Sequence, residues 1–258
     1  MNKKIKIYSK SEIIKIRNAC YASAFVRENL KKSILPGMNT KLIDDIAYNL
    51  IKSTGGKSAF LNYNGFPSNI CISINDEVVH GVAKKDKIVK DGDIVSIDVG
   101  VCLDNYFGDN AETFIIGNKS DDYKDAEFLI HKTEESLLCG IEMAIEGNYV
   151  VDISRAIQNI ADDANLSIVR DYVGHGCGEN LHEFPEIPNY VTNNSDIILK
   201  SGMILSIEPM LNLGSHRVTL CDDEWTVRTE DGSLSSHFEH TILVNGDTPE
   251  ILTCLIKK

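Results

Sequence analysis

Two histidines and four carboxylates in this 258-residue chain stand where ordinary surface chemistry would not put them. His175 and His182 lie in VGHGCGENLHEFP, Val173 to Pro185, whose three glycines let the backbone come close to whatever the rings bind. Asp98 in IVSIDVGV, Asp109 in YFGDNAETF, Glu208 in MILSIEPM and Glu239 in SHFEHTILV each sit inside or at the edge of an apolar run that reads as a strand. An ionised carboxylate is almost never buried unpaired, because removing it from water is too costly. Four of them need a cation. The set exceeds what one tetrahedral zinc requires, whereas two divalent ions about 3.5–4 Å apart, sharing carboxylates and a water, use such a cluster in hydrolases. Many oxygens and few nitrogens favour manganese, iron(II) or cobalt over a structural zinc. Sequence alone does not choose among them.

Other chemistries are poorly served. There is no G-x-S-x-G elbow, and Cys177 beside His175 resembles a Cys/His pair only superficially. Neither a Walker A motif nor G-x-G-x-x-G is present, which argues against a nucleotide enzyme. The formal net charge of −12 argues against wrapping nucleic acid and gives no sign of an anionic-membrane surface. Seven scattered cysteines without a C-x-x-C pair suit a reducing compartment rather than a disulfide scaffold or a cysteine zinc site. The basic start MNKKIKIYSK leads into no long apolar core, and no run of about 18 apolar residues could span a membrane. These features together read as a cytoplasmic protein.

The elements that must position the donors follow from periodicity. A helix is expected from Ser11, with a serine cap, Glu12 behind it and Ile13, Ile16, Cys20 and Ala24 on one face, ending at Pro36-Gly37. A second begins near Asn39 or Thr40, carries Leu42, Ile43, Ile46, Ala47 and Leu50, and stops at Gly55-Gly56. Strands are expected at 70–74, 78–80 and 94–101, with turns at Asn64-Gly65 and Asp91-Gly92. In the third strand Val95, Ile97, Val99 and Val101 share one face, which leaves Asp98 on the other. A hairpin from Asp98 to Asp109, turning between Leu103 and Asp104, would set the two aspartates directly opposite each other, repelling unless something positive lies between. Helices at 120–145 and 152–165 follow. Beyond them come a segment at 168–174, a loop from His175 to Pro185, and strands at 203–208, 225–229 and 235–244, the last two joined as a hairpin at Asp231-Gly232. LPGMNTKLIDDIA (35–47) and IEGNYVVDISRAI (145–157) match in glycine, apolar spacing and helical register, which indicates an internal duplication with the site between the halves. No linker or low-complexity tract divides the chain, so residues 1–258 read as one domain.

NDEVVHG, DGDIVSIDVG, GDNAETF, GHGCGENLHEFP, SIEPM and FEHT stand in an order and spacing that resembles the type I methionine aminopeptidases over nearly the whole chain. The resemblance implies an α/β pita-bread fold of the creatinase/aminopeptidase kind, two pseudo-symmetric halves with antiparallel sheet and flanking helices around a dinuclear metal site. It implies five ligands, Asp98, Asp109, His175, Glu208 and Glu239, with Asp109 and Glu239 bridging and His175 the sole nitrogen. The ions would be manganese, iron(II), cobalt or zinc. His80 and His182 match the family's two non-ligand histidines, which contact the scissile amide and steady the charge on its carbonyl, and Glu208 would also take the proton of the attacking water. A methionine pocket is implied at Tyr63, Cys71 and Trp225, with departures at Phe60, where a cysteine is common in bacterial members, Phe66, where a tyrosine is common, and Leu181, where a phenylalanine is common.

The implied reaction is removal of initiator methionine from nascent proteins and peptides whose second residue is small, by metal-activated water attack on the first peptide bond. The implied partner is the N-terminal methionine of a nascent chain, with docking at the ribosome, and the protein is expected to be a monomer that binds no nucleic acid of its own and no membrane. Prolidases and X-Pro aminopeptidases share the fold and ligands, but usually carry an extra N-terminal domain for which residues 1–69 leave no room. Non-enzymatic pita-bread modules that bind peptides or proteins usually lose metal ligands, and all five are kept here. A type II enzyme would have a long insertion between His182 and Glu208, and no zinc-finger extension precedes the core.

Overall fold

Ser9, not Ser11, opens the first helix, because only Ser9 stands three residues before Glu12. Its hydroxyl accepts from the Glu12 N–H while the Glu12 carboxylate accepts from the Ser9 N–H at 2.8 Å, which satisfies two donors that the helix itself leaves unpaired. Helix α1 (Lys10–Ser33) buries Ile13, Ile16, Cys20 and Ala24. In α2 (Thr40–Ser53) the Asn39 side chain accepts from the Leu42 N–H at 2.8 Å, and Ile43, Ala47 and Ile51 form the buried stripe while Leu42 is exposed. The structure, a computed structural model, describes residues 4–117, 123–192 and 197–255.

Short strands β1 (Lys57–Ser58), β2 (Cys71–Ile74) and β3 (Glu77–Val79) lead to a long hairpin, β4 (Ile94–Leu103) and β5 (Tyr106–Ile115). Val95, Ile97, Val99 and Val101 of β4 are fully buried against Val26 and Leu30 of α1 and Ile43, Ala47 and Ile51 of α2. Each such side chain contributes about 1.5–3 kcal/mol through burial, so this face is committed to the helices and Asp98 is left on the other. The hairpin turns at Asp104-Asn105, both left-handed with φ of 51° and 63°, as a two-residue turn between twisted strands demands. That turn lies one residue beyond the expected one, and the register moves by two. Asp98 faces Ala111 and Asp109 faces Gly100, so the aspartates are diagonal neighbours on one face rather than directly opposed.

The second half comprises α3 (Lys124–Glu142), α4 (Val150–Asp163), β6 (Ser167–Ile168), β7 (Gly174–Gly176), β8 (Glu183–Ile187), β9 (Ile204–Ile207), β10 (Met210–Asn212), β11 (Val218–Leu220), β12 (Val227–Thr229), β13 (Ser235–His237), β14 (Glu239–Leu243) and β15 (Glu250–Ile251). Ser120, the expected start of the third helix, lies outside the described residues. The expected loop from His175 to Pro185 is instead anchored in the sheet, with His175 on β7 and a register shift between His175 and Gly176 where β8 pairs with it. Nor is there a hairpin at Asp231-Gly232. Strand β12 pairs with β11 and β3, whereas β13 pairs with β10, so the turn hands the chain from one small sheet to another.

The duplication is visible in backbone hydrogen bonds. Gly37 N–H donates to Val89 O and Gly147 N–H to Leu199 O; Thr40 N–H donates to Lys87 O and Val150 N–H to Ile197 O. All of these pairs are related by one offset (147 − 37 = 110), as are the positive φ values of Gly37 and Gly147, 91° and 93°. The same offset carries Asp98 onto Glu208. Helices α3 and α4 cover Leu205, Ile207 and Ile242 as α1 and α2 cover β4. The chain therefore has the pita-bread fold: two like halves meeting in one antiparallel sheet, ordered β1-β4-β5-β14-β9-β7-β8 among the described residues, with β2 also on β4 and β15 also on β14.

Candidate metal centre

The donors stand on two neighbouring rungs of this sheet, on the face that the helices leave free. One rung runs from Asp98 through Ala111 to Glu239, and Glu208 follows one residue beyond the Ile207–His240 pair. The other runs from Gly100 to Asp109, then through Thr241, whose hydroxyl donates to Asp109 O at 2.7 Å, to Ser206 and His175. Directly paired residues project to the same face, so five donors from five strands or strand ends converge. The positions between them, Gly100, Ala111, Ser206 and Thr241, are small and leave space. Ligand atoms of Asp109, His175 and Glu239 all lie within 4.8 Å of one another, and His175 Nε2 lies 3.4 Å from Glu208 Oε1.

Without a cation this arrangement is electrostatically awkward. Burial pushes Asp98, Glu208 and Glu239 well above the ordinary carboxylate range, with the charge of Asp109 adding to each, and burial moves Asp109 up to about 7. Asp98 Oδ1, Asp109 Oδ1 and Glu239 Oε1 are buried without any hydrogen-bond donor. His175 is different: burial, aided by the neighbouring His182, lowers it to about 3, so the ring is neutral. Its Nδ1 lies 2.9 Å from Gly176 O, a contact that needs the proton on Nδ1 and turns the Nε2 lone pair toward the carboxylates. A lone pair aimed at carboxylate oxygens, and orphaned oxygens aimed at one another, fit a divalent cation and fit little else.

Beside the donors lies an apolar wall. Phe60, Phe66, Cys71 and Leu181 are buried in one cluster with Tyr63 and Trp225 partly buried against it, and the Phe66 and Trp225 rings meet edge to face at 5.3 Å. Gly100 permits this closeness, since a Cβ there would come within 2.5 Å of the Phe60 ring. The turn bearing Trp225 is tied down by Asp223, which accepts from the backbone N–H groups of Trp225 and Thr226 at 3.1 and 2.8 Å. Burial raises the Cys71 and Cys177 thiols well above their ordinary value, so neither is a thiolate nucleophile.

His80 follows β3 in a left-handed conformation, φ 58°, and its ring meets Tyr172 edge to face at 5.2 Å. Gly81, next in the chain, lets the backbone pass close to β2, because a Cβ at that position would stand 2.1 Å from Ile72 O. His182 lies just before β8, its ring 4.2 Å from that of His175, with Nδ1 2.8 Å from the Tyr63 hydroxyl. Burial holds His80 at about 4 and His182 below its usual value, so both are neutral near pH 7.

Every site residue expected from the sequence lines one cavity of about 240 Å³. The cavity also takes in Asn64, Val79, Tyr172, Val173 and His237, which sequence reasoning missed. For His237 a signal existed: it stands two residues before Glu239, the spacing that puts strand residues on one face. No helix among the described residues is long and apolar enough to cross a membrane.

Residues 14–246 match the sequence family described as metallopeptidase family M24. Methionine aminopeptidase 1 of Bacillus subtilis (strain 168) is 47% identical over 238 residues, 92% of this chain and 94% of its own. The crystal structure of methionine aminopeptidase from Rickettsia prowazekii superposes with a TM-score of 0.93 at 41% identity, covering 97% of this chain and all of that one. The prolidase from Pyrococcus furiosus shares the fold at a TM-score of 0.76 and 21% identity, and 66% of its chain is covered.

Proposed function

The chain belongs to metallopeptidase family M24 and, within it, to the type I methionine aminopeptidases, divalent-metal-dependent enzymes that remove N-terminal methionine, and from this premise we propose a division of labour among its residues. Asp98, Asp109, His175, Glu208 and Glu239 would hold two ions, drawn from manganese, iron(II), cobalt and zinc, and the family resemblance makes Asp109 and Glu239 the pair that both ions would share. When bound, the ions polarise the scissile carbonyl and make a water nucleophilic near neutral pH. The observation that carries this reading is the set of buried, donorless carboxylate oxygens facing a neutral imidazole whose tautomer is set by Gly176 O.

Phe60, Tyr63, Phe66, Cys71, Leu181 and Trp225 take the methionine side chain, which leaves the first peptide bond over the donors. With Nδ1 accepting from the Tyr63 hydroxyl, His182 carries its proton on Nε2 and donates it to the carbonyl oxygen as charge develops there. His80, neutral and held by strain and by Tyr172, contacts the amide. Glu208 receives the proton that the attacking water loses and passes it to the departing amine.

The preferred substrates are chains with a small second residue, met as nascent polypeptides at the ribosome in the cytoplasm, and residues 1–258 act as one monomeric domain. Turnover of Met-Ala-Ser against Ala-Pro-Ser, with metal-free protein refilled by each divalent metal in turn, tests the reading. Faster cleavage of Ala-Pro-Ser would overturn the assigned specificity. Failure to co-sediment with translating ribosomes would overturn the docking.

A further inference from the structure

Glu208 is the one carboxylate donor that its strand does not hold. Pairing between β14 and β9 ends at Ile207, and Glu208 stands beyond it with only its carbonyl engaged, accepting from Asn189 Nδ2 at 3.0 Å. A free glutamate side chain samples many rotamers, yet this one must present a fixed oxygen to the cavity. Its two oxygens are divided between two imidazoles: Oε1 lies 3.4 Å from His175 Nε2 and Oε2 lies 3.6 Å from His237 Nε2.

His237 is built to stay where it is. The residue ends β13 at 2% exposure, and Thr113 of β5 clamps its backbone from both sides, the hydroxyl accepting from His237 N–H at 2.9 Å and donating to His237 O at 2.8 Å. The same hydroxyl lies 2.7 Å from Ser96 Oγ of β4, which ties the imidazole to the hairpin of the opposite half. Its Nε2 is buried and has no hydrogen-bond partner within normal reach, a costly state for a ring nitrogen. Glu208 Oε2, 3.6 Å away, is an acceptor that a small side-chain rotation brings into hydrogen-bond range.

We propose that His237 is the positioning residue of the site, its Nε2–H holding Glu208 Oε2 so that Oε1 is presented to the cavity beside His175. The proposal rests on the reading of Glu208 as ligand and proton acceptor. A carboxylate pinned at one oxygen loses the freedom to swing away as its charge changes, so both metal retention and proton transfer depend on the imidazole behind it.

Glutamine and methionine at position 237 separate this role from packing, since they match in length and only glutamine offers an N–H. His237→Met should bind manganese about tenfold more weakly in calorimetry on the metal-free protein, and should lower kcat on Met-Ala-Ser about tenfold or more with KM within about twofold. His237→Gln should restore both to within about threefold of wild type. A Met variant that matches wild type, or a Gln variant as impaired as the Met variant, overturns the proposal. Should either variant fail to fold, 15N spectra of histidine-labelled wild type decide: a proton on His237 Nε2 is required, and an unprotonated Nε2 overturns it. Wild type inactive on Met-Ala-Ser would overturn the activity reading instead, while the manganese titrations would still judge His237.

Discussion

Stripped of metal, the protein should become less stable as pH rises from 6.5 to 8. Asp98, Glu208 and Glu239 are held by burial well above the ordinary carboxylate range and Asp109 is moved up to about 7, so in this window the folded site keeps protons that the unfolded chain has already lost. Groups raised on folding give stability that is complete below the unfolded pKa and lost as pH climbs through the folded one. The buried histidines act the other way: His175, His237 and His240 are lowered to about 3 and His80 to about 4, so they add stability as pH rises, but only up to their unfolded value of 6.5. Above that the carboxyls act alone, until the raised thiols such as Cys20 and Cys71, with unfolded values of 9.0, begin to contribute in the same direction. Each retained proton costs about 1.4 kcal/mol per pH unit, so even a single one gives about 2 kcal/mol across the window. For a chain of this size that lowers Tm by about 4–8 °C. Adding manganese should abolish the slope, because the ion displaces the protons, and should raise Tm by mass action. Thermal melts at pH 6.5, 7.2 and 8.0, with chelator and with manganese, measure both effects. A chelated protein as stable at pH 8.0 as at 6.5, or a binding reaction that releases no protons in calorimetry, would refute the buried-carboxyl account.

The two histidines flanking the site should separate cleanly. His182→Ala should keep metal content near wild type while lowering kcat/KM about 10²–10³-fold, the loss of one donor to a developing oxyanion; His175→Ala should lose metal, with activity partly restored at high manganese, and elemental analysis of both proteins would expose a reversed assignment. Gly108→Ala would put a Cβ 2.4 Å from the Cys20 backbone where α1 crosses β5, so urea unfolding should show a loss of about 1–3 kcal/mol or more, and an unchanged midpoint would contradict that packing. Gly100→Ala would press on the Phe60 ring from 2.5 Å; it should raise KM for methionyl peptides with metal affinity unchanged, and a normal KM would remove Phe60 from the methionine pocket.

Much of this architecture is written in local pattern. The alternation around Asp98 announces a strand with one face for helices and one for something charged, and the repeated glycine at 37 and 147 announces two like halves. What stayed hidden depends on turn chemistry and distant partners. Asp104-Asn105, two residues able to take positive φ, decided the hairpin register, and counting from aspartate to aspartate could not see it. The strand character of His175 comes from Ser206 and Glu186, far along the chain, while the intervening glycines read as loop. His237 has the spacing that would put it on the face of Glu239, but its place beside Glu208 is set by Thr113 of β5, a partner 124 residues away that no local pattern reveals.

Strand β14 has a further consequence, for the order of events during synthesis. Of the five donors Asp98 and Asp109 are made first and Glu239 last, and within the large sheet β14 joins the halves, pairing with β5 on one side and β9 on the other. Until β14 is made, the aspartates of the hairpin lack the Glu239 carboxylate that the next strand sets beside them. On the proposed ligand set, metal capture is complete only once β14 has slotted between β5 and β9, and the ion would then fasten that strand on both sides. An ion held in this way would act as an inspector of the finished fold, since all five donors are in place only when both halves are.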